Sequence, residues 1–146
     1  MKHLEFTAQI NSAKKKVWDT MLQPDTYKQW VNVSWPGSYY QGRWAKGENL
    51  KFLSPGHGGT LANLVECTPY DTILARHIAI IKSDGTEDRN DAIAPGWIGT
   101  TERYSFTERD GKTTATITIE TTPEWESMFK DGWPTALAKL KEICER

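Results

Sequence analysis

Two cysteines, Cys67 and Cys144, are all that the 146-residue chain contains. That is too few for the disulfide framework by which small secreted domains make up for a thin core, and a reduced, cytoplasmic setting is the expectation. No stretch approaches the ~20 consecutive apolar residues of a membrane span. The opening Met1-Lys2-His3-Leu4-Glu5 alternates polar and apolar residues at once, where a signal peptide would build an apolar run. Charge of one sign is lacking too: 18 Lys and Arg face 19 Asp and Glu, for a net charge of −1. A nucleic-acid partner calls for a basic excess gathered on one face, so none is expected. The single basic run, Lys14-Lys15-Lys16, heads a predicted helix and reads as a solvated face. His3, His57 and His77 fall in separate elements without metal-ligand spacing, so neither a metal nor another cofactor is expected.

What the chain does have is aromatic bulk. Seven Trp, five Tyr and four Phe make up 11% of the residues, although apolar residues of all kinds reach only 38%. A domain with few aliphatic side chains is filling its interior with large flat rings, which bury much area at low rotamer cost and also line small-molecule pockets. The alternative is an aromatic core with no space in it. At this length one domain, residues 1–146, can bury a core without disulfides or metals.

The periodicities give the order of elements. Leu4, Phe6, Ala8 and Ile10 alternate with polar neighbours, the period of a half-buried strand. Asn11-Ser12 offers an N-cap to a helix carrying Val17, Trp18, Met21 and Leu22. Pro24 breaks that helix, and Tyr27, Trp30 and Val31 mark a second short one. Strands are predicted over 39–44, 50–53, 60–67 and 72–81. A polar loop over 82–94 precedes a long strand near 97–107, and Asp110-Gly111 makes the hairpin turn into a last strand over 113–121. Thr122-Pro123 then opens a helix in which Trp125, Met128, Phe129, Trp133, Ala136, Leu137, Leu140, Ile143 and Cys144 recur every three or four residues. That stripe runs for about six turns at ~3.6 residues per turn. Only the concave face of a curved sheet is long enough to cover it. Pro134, inside the stripe, should kink the helix. The fold class is α+β: a curved antiparallel sheet of about six to seven strands wrapped around a long C-terminal helix, with two short helices after the first strand.

Several local signals in that frame match a known family. They are Val17-Trp18 and Trp30 in the double helix 13–30, and Gly59 through Val65-Glu66 ahead of Pro69. Ile73, Ala75 and His77 follow, then Tyr104-Ser105-Phe106 before Asp110-Gly111, and Gly132-Trp133 with Leu137 and Leu140-Lys141 in the closing helix. Together they resemble the SRPBCC superfamily (START-like, Bet-v-1-like), in the AHSA branch named after homologues of the heat-shock-protein-90 ATPase activator. The resemblance spans essentially the whole chain and implies the helix-grip fold. It also implies a choice of roles, because members bind hydrophobic ligands, act as cyclases or aromatases, or serve as co-chaperone domains. No catalytic motif runs through the superfamily, so no catalytic residue is carried over, and function has to be argued at the site.

Strand alternation and the helical stripe place a set of side chains around one chamber: Trp30, Trp35, Tyr40, Phe52, His77, Glu102, Tyr104, Phe106, Trp125, Met128, Phe129 and Trp133. A mostly aromatic chamber with a few polar groups suits a small hydrophobic or aromatic molecule, bound without chemistry. The sharpest polar pair is His77 with Glu102, able to serve as acid and base, although the sequence shows no third group to orient the base. The glycine-rich 55–59 joins two strands instead of opening a helix, which argues against a phosphate cradle. The acidic loop 84–91 lacks the ligand pattern of a calcium site and reads as a solvated excursion, a candidate flap over the chamber mouth. Two further partners come into consideration: a chaperone, from the family name alone, and a second copy of the chain through exposed Trp residues.

Overall fold

Alternation in the first and last strands decides how the sheet closes. In the computed structural model, which describes residues 1–90, 92–93 and 95–146, β1 (Lys2–Ile10) pairs antiparallel with β8 (Lys112–Thr121). The register sets Leu4, Phe6 and Ala8 opposite Ile119, Ile117 and Ala115. Side chains alternate faces along a strand, so this register puts all six on one side, and a slip of one residue would turn either set outward. β7 (Thr101–Arg109) extends the rows, with Glu102, Tyr104 and Phe106 opposite Ile119, Ile117 and Ala115. β5 (Thr72–Ile81) follows, with Ala75 and Ile73 opposite Glu102 and Tyr104.

Beyond β5 come β4 (Gly58–Thr68), β3 (Asn49–Ser54) and β2 (Tyr39–Gln41), giving the order β1-β8-β7-β5-β4-β3-β2; β6 (Glu87–Asp88) pairs with the end of β5. The sheet curls as a half-barrel around α3 (Glu126–Cys144), and α1 (Lys14–Leu22) and α2 (Pro24–Val31) pack on that helix. This is the helix-grip architecture. The β7–β8 turn is the expected Asp-Gly hairpin: Asp110 (φ 55°) and Gly111 (φ 77°) both take the left-handed backbone that such a tight turn requires.

Four local expectations are corrected. α1 is not capped by Asn11 or Ser12; its N-cap is Ala13, which offers no side-chain oxygen, and the Lys14 N–H donates instead to Glu108 Oε1 of β7 (2.7 Å). Thr122 does not cap the last helix through its side chain either: its hydroxyl is buried without a partner, and Pro123–Trp125 form a 3-10 turn before α3 begins. The strand expected over 39–44 stops at Gln41. There Gly42 (φ 125°) turns the chain so tightly that a Cβ would lie 2.7 Å from the Asn49 carbonyl oxygen. The strand expected over 97–107 begins only at Thr101, because Gly96 and Gly99 take positive φ and fold 97–100 back as turns. The polar loop expected over 82–94 holds β6; Asp91 and Ala94 lie outside the described residues. Pro134 sits inside α3, which runs unbroken to Cys144.

The core is concentrated where α1 and the C-terminal half of α3 meet the sheet. Val17, Met21, Ala136, Leu140, Ala115 and Ile117 are essentially without exposed surface there. Among the described residues no helix is long and apolar enough to cross a membrane.

Candidate functional site

Between the sheet and the N-terminal half of α3 the interior is not filled. A cavity of about 510 Å³ lies there, within the size range of small-molecule sites. Aromatic rings form much of its wall. Trp133 touches Trp30, Trp35 and Tyr104, with ring centres 5.8, 5.5 and 6.0 Å apart. Trp30 is fixed by its indole N–H, which donates to the Met21 carbonyl (3.0 Å). Trp35 reaches α3 because residue 132 is glycine: a Cβ there would come within 2.5 Å of the Trp35 ring. Phe129 meets Trp35, and Phe52 of β3 meets Trp44. Two apolar side chains at the rim are substantially exposed, Ile93 (50%) and Met128 (45%).

A polar cluster of His77, Glu102 and Tyr104 interrupts this wall, and strand geometry builds it. Glu102 and Tyr104 are two residues apart on β7 and so share a face. His77 lies diagonally across on β5, where its N–H donates to the Thr100 carbonyl (2.9 Å), within reach for long side chains. His77 Nε2 is 3.1 Å from Glu102 Oε1, and the Tyr104 hydroxyl donates to Glu102 Oε2 at 2.6 Å. Immediately after His77 the pairing of β4 and β5 skips a residue, with Leu61 opposite Ala79 but Ala62 opposite His77. Ile78 is the extra residue of this bulge, and bulges commonly re-aim side chains beside a site.

The electrostatics follow from burial and these bonds. Burial is the largest influence on Glu102 and pushes its carboxyl upward. The hydrogen bond and charge of His77, with the Tyr104 hydroxyl, more than offset it and hold the group below the usual carboxylate range. Burial first, and then the Glu102 charge, push the hydroxyls of Tyr104 and Tyr27 up, so both remain protonated. His77 Nδ1 is buried without a partner, and the ring stacks on Trp97 with centres 4.2 Å apart.

Of the residues named from sequence, Trp30, Trp35, Phe52, His77, Glu102, Tyr104, Trp125, Met128, Phe129 and Trp133 lie on the cavity wall. Tyr40 and Phe106 do not. The Tyr40 hydroxyl donates to the Leu22 carbonyl and its ring is held between Tyr27 and Trp44, behind the wall. Phe106 is buried edge-on against Trp18, over α1. The third group that the sequence did not show is Tyr104, which anchors Glu102 while Glu102 anchors His77.

Trp97 was not anticipated at all. It is buried, covers His77 and meets Trp125 edge-on at 5.5 Å. Its signal was the Pro95-Gly96 pair ahead of it and Gly99 behind it, which mark turns and should have kept Trp97 out of a regular strand. Among the described residues no group of three or more His, Cys, Asp or Glu is placed to hold a metal ion.

Comparison with known proteins bears on the fold. The model of the family described as "Activator of Hsp90 ATPase homolog 1-like protein" matches residues 11–145. Among solved structures, the Aha1 dimer from Colwellia psychrerythraea is similar at 20% identity and a TM-score of 0.73, over 99% of this chain and 97% of that one. Protein MLL2253 from Mesorhizobium loti is similar at 15% identity and a TM-score of 0.75, covering 97% and 96%. CalU16 from Micromonospora echinospora is similar at 14% identity and a TM-score of 0.64, covering 97% and 75%. At these identities the likeness is one of fold. No curated protein matches the chain in sequence.

Proposed function

The chain belongs to the activator of Hsp90 ATPase homolog 1-like family, and from that premise we propose that it binds a small hydrophobic or aromatic molecule in its internal cavity without transforming it. The observation that carries this reading is the unfilled space of about 510 Å³ under the sheet, walled in large part by aromatic rings around a buried polar cluster. A recess of this size, apolar in most of its lining and open to solvent, gains from an apolar ligand that displaces the water it would otherwise hold. The ring wall supplies apolar contact, and the cluster supplies a fixed point for orientation. Cys67 and Cys144, both free, fit the reduced, cytoplasmic setting in which this binding is proposed.

Two measurements test it. Native mass spectrometry of the protein purified from its own cells should show a retained small molecule. Calorimetry with 2-naphthylmethanol should show saturable one-to-one binding that is lost in Ile80→Trp, which fills the chamber. A protein that retains nothing and binds no apolar aromatic, or a filled variant that binds as well as the original, would overturn the reading.

One observation favours a second reading, an enzyme of the cyclase or hydrolase kind. Glu102 holds one nitrogen of His77, and an oriented imidazole is what a general base requires. Against it, Nδ1 is buried and Trp97 lies on the ring, so a substrate would meet Glu102 before it met the imidazole's free nitrogen. Loss of turnover with binding retained in His77→Gln would favour catalysis. A chaperone partner rests on the family's description, and a homodimer on the dimeric relative.

A further inference from the structure

The cavity wall is lopsided in charge. Among the described residues that line it there are one carboxylate, Glu102, and two imidazoles, His57 and His77, but neither lysine nor arginine. Glu102 stands in a row with Leu4, Ile119 and Ala75 across four strands, and His77 and Tyr104 reach it from the wall. Each takes one of its two oxygens, and a carboxylate oxygen has room for a second donor. Its side chain also keeps 13% of its surface exposed where His77 keeps 3%. Glu102 is therefore the member of the cluster that an occupant of the cavity can touch.

His77 uses Nε2 on one carboxylate oxygen and its Nδ1 is buried without a partner, so the imidazole leaves the remaining acceptor positions of Glu102 open. Much of the remaining wall is aromatic, and ring faces attract cations through their quadrupoles and do nothing for anions. A fatty acid or a phosphate brought to this point would set a second negative charge beside the first, with no lysine or arginine on the described wall to answer it.

We propose that the cavity selects a protonated primary or secondary amine carried on an apolar, aromatic-sized body, with Glu102 as its counter-ion and hydrogen-bond acceptor. This deepens the reading of the cavity as a ligand site and rests on it. The ammonium donates to the free positions on Glu102, and the rings of Trp97, Trp125 and Trp133 enclose the rest of the ligand.

The test is a matched series that differs only in the polar group: 2-naphthylmethylamine, 2-naphthylmethanol and 2-naphthoate, titrated calorimetrically into the full chain at neutral pH. The amine should bind at least about tenfold tighter than the alcohol, since only the ammonium adds a full opposite charge to its hydrogen bond with Glu102, and the naphthoate should not bind measurably. Glu102→Gln keeps the side chain's size and removes its charge; it should bring the amine and the alcohol to within about twofold of each other. Thermal unfolding shows whether the variant folds, and the ranking in the unaltered protein stands without it. Equal affinity for amine and alcohol, tight binding of naphthoate, or an amine preference that survives Glu102→Gln would each overturn the inference while alcohol binding upheld the cavity. Binding of none of the three would overturn both.

Discussion

The two halves of the last helix are alike in sequence and unlike in structure. From Trp125 to Cys144 the apolar residues recur at one unbroken helical period. In the C-terminal half, Ala136, Leu137, Leu140 and Cys144 are all buried, packed on β1, α1 and α2. Toward the N-terminal end, Phe129 is only partly covered and Met128 is 45% exposed, because they line the cavity. Periodicity says which side of a helix turns inward. It does not say whether anything waits there to be touched.

The largest expected effect tests that contrast directly. Leu140 has no exposed surface, and Leu140→Ala should cost about 2–5 kcal/mol through lost burial and a residual void. Met128→Ala, the same kind of truncation on the same stripe, should change stability by about 0.5 kcal/mol or less, as for an exposed site, while weakening retention of a cavity ligand. Urea unfolding of both variants measures this. Similar losses at the two positions would mean that the N-terminal half is packed after all and that the contrast is false.

A smaller effect comes from the polar cluster, where burial and hydrogen bonding oppose each other. Tyr104→Phe removes one of the two donors to Glu102 and should cost about 1.5–3 kcal/mol, the range for hydrogen bonds to charged groups. The sign of its pH dependence is fixed. The folded-state pKa of Glu102 lies below the ordinary carboxylate value of 4.5, so the stabilisation is present above that value and is lost as pH falls through the folded pKa. The penalty of Tyr104→Phe should therefore be fully present near neutrality and shrink in acid. Unfolding curves of the two proteins at pH 7 and in the acid range measure it, and a penalty that stays constant or grows in acid would mean that Glu102 is not held ionised by its donors.

Much of this was legible before any coordinates, for physical reasons. Strand alternation is a rule of period two, so Glu102 and Tyr104 had to share a face, and His77 with Ile73 and Ala75 had to face the same interior. The stripe on the last helix fixed the grip. What did not carry through was whatever depends on departure from a period. The turn that folds Trp97 onto His77, the bulge at Ile78, and the tight bend at Gly42 that ends β2 early each interrupt the alternation from which they would be inferred. Caps failed for a different reason. The first free N–H of α1 is met by Glu108, 94 residues away, a partner that local sequence cannot name. Tyr40 was misplaced because alternation gives the direction of a side chain and not the layer at which it stops.

The smallest effect concerns the rim, where one buried carboxylate shapes the loop beside the cavity. Asp88 Oδ1 accepts the N–H of Asn90 (2.9 Å), and Oδ2 accepts those of Ala92 and Ile93 (3.0 Å each). These bonds, the Ile93 one foremost, hold its carboxyl below the ordinary range. They also set the place of Ile93, one of the two exposed apolar residues at the cavity rim. Asp88→Asn keeps the size of the side chain but replaces one acceptor oxygen with a donor, so the Asn90 amide or the Ala92 and Ile93 pair must lose its partner. Global stability should scarcely change, because the loop is local and partly solvated. Hydrogen exchange at Ala92 and Ile93 should accelerate several-fold, and a bound aromatic should dissociate faster from a rim no longer held in shape. Since the folded pKa is depressed, the native protein should show the same loosening only as pH falls through that value, with the bonds intact above the ordinary carboxylate range. Unchanged exchange in Asp88→Asn would show that the rest of the loop, and not this carboxylate, positions the rim.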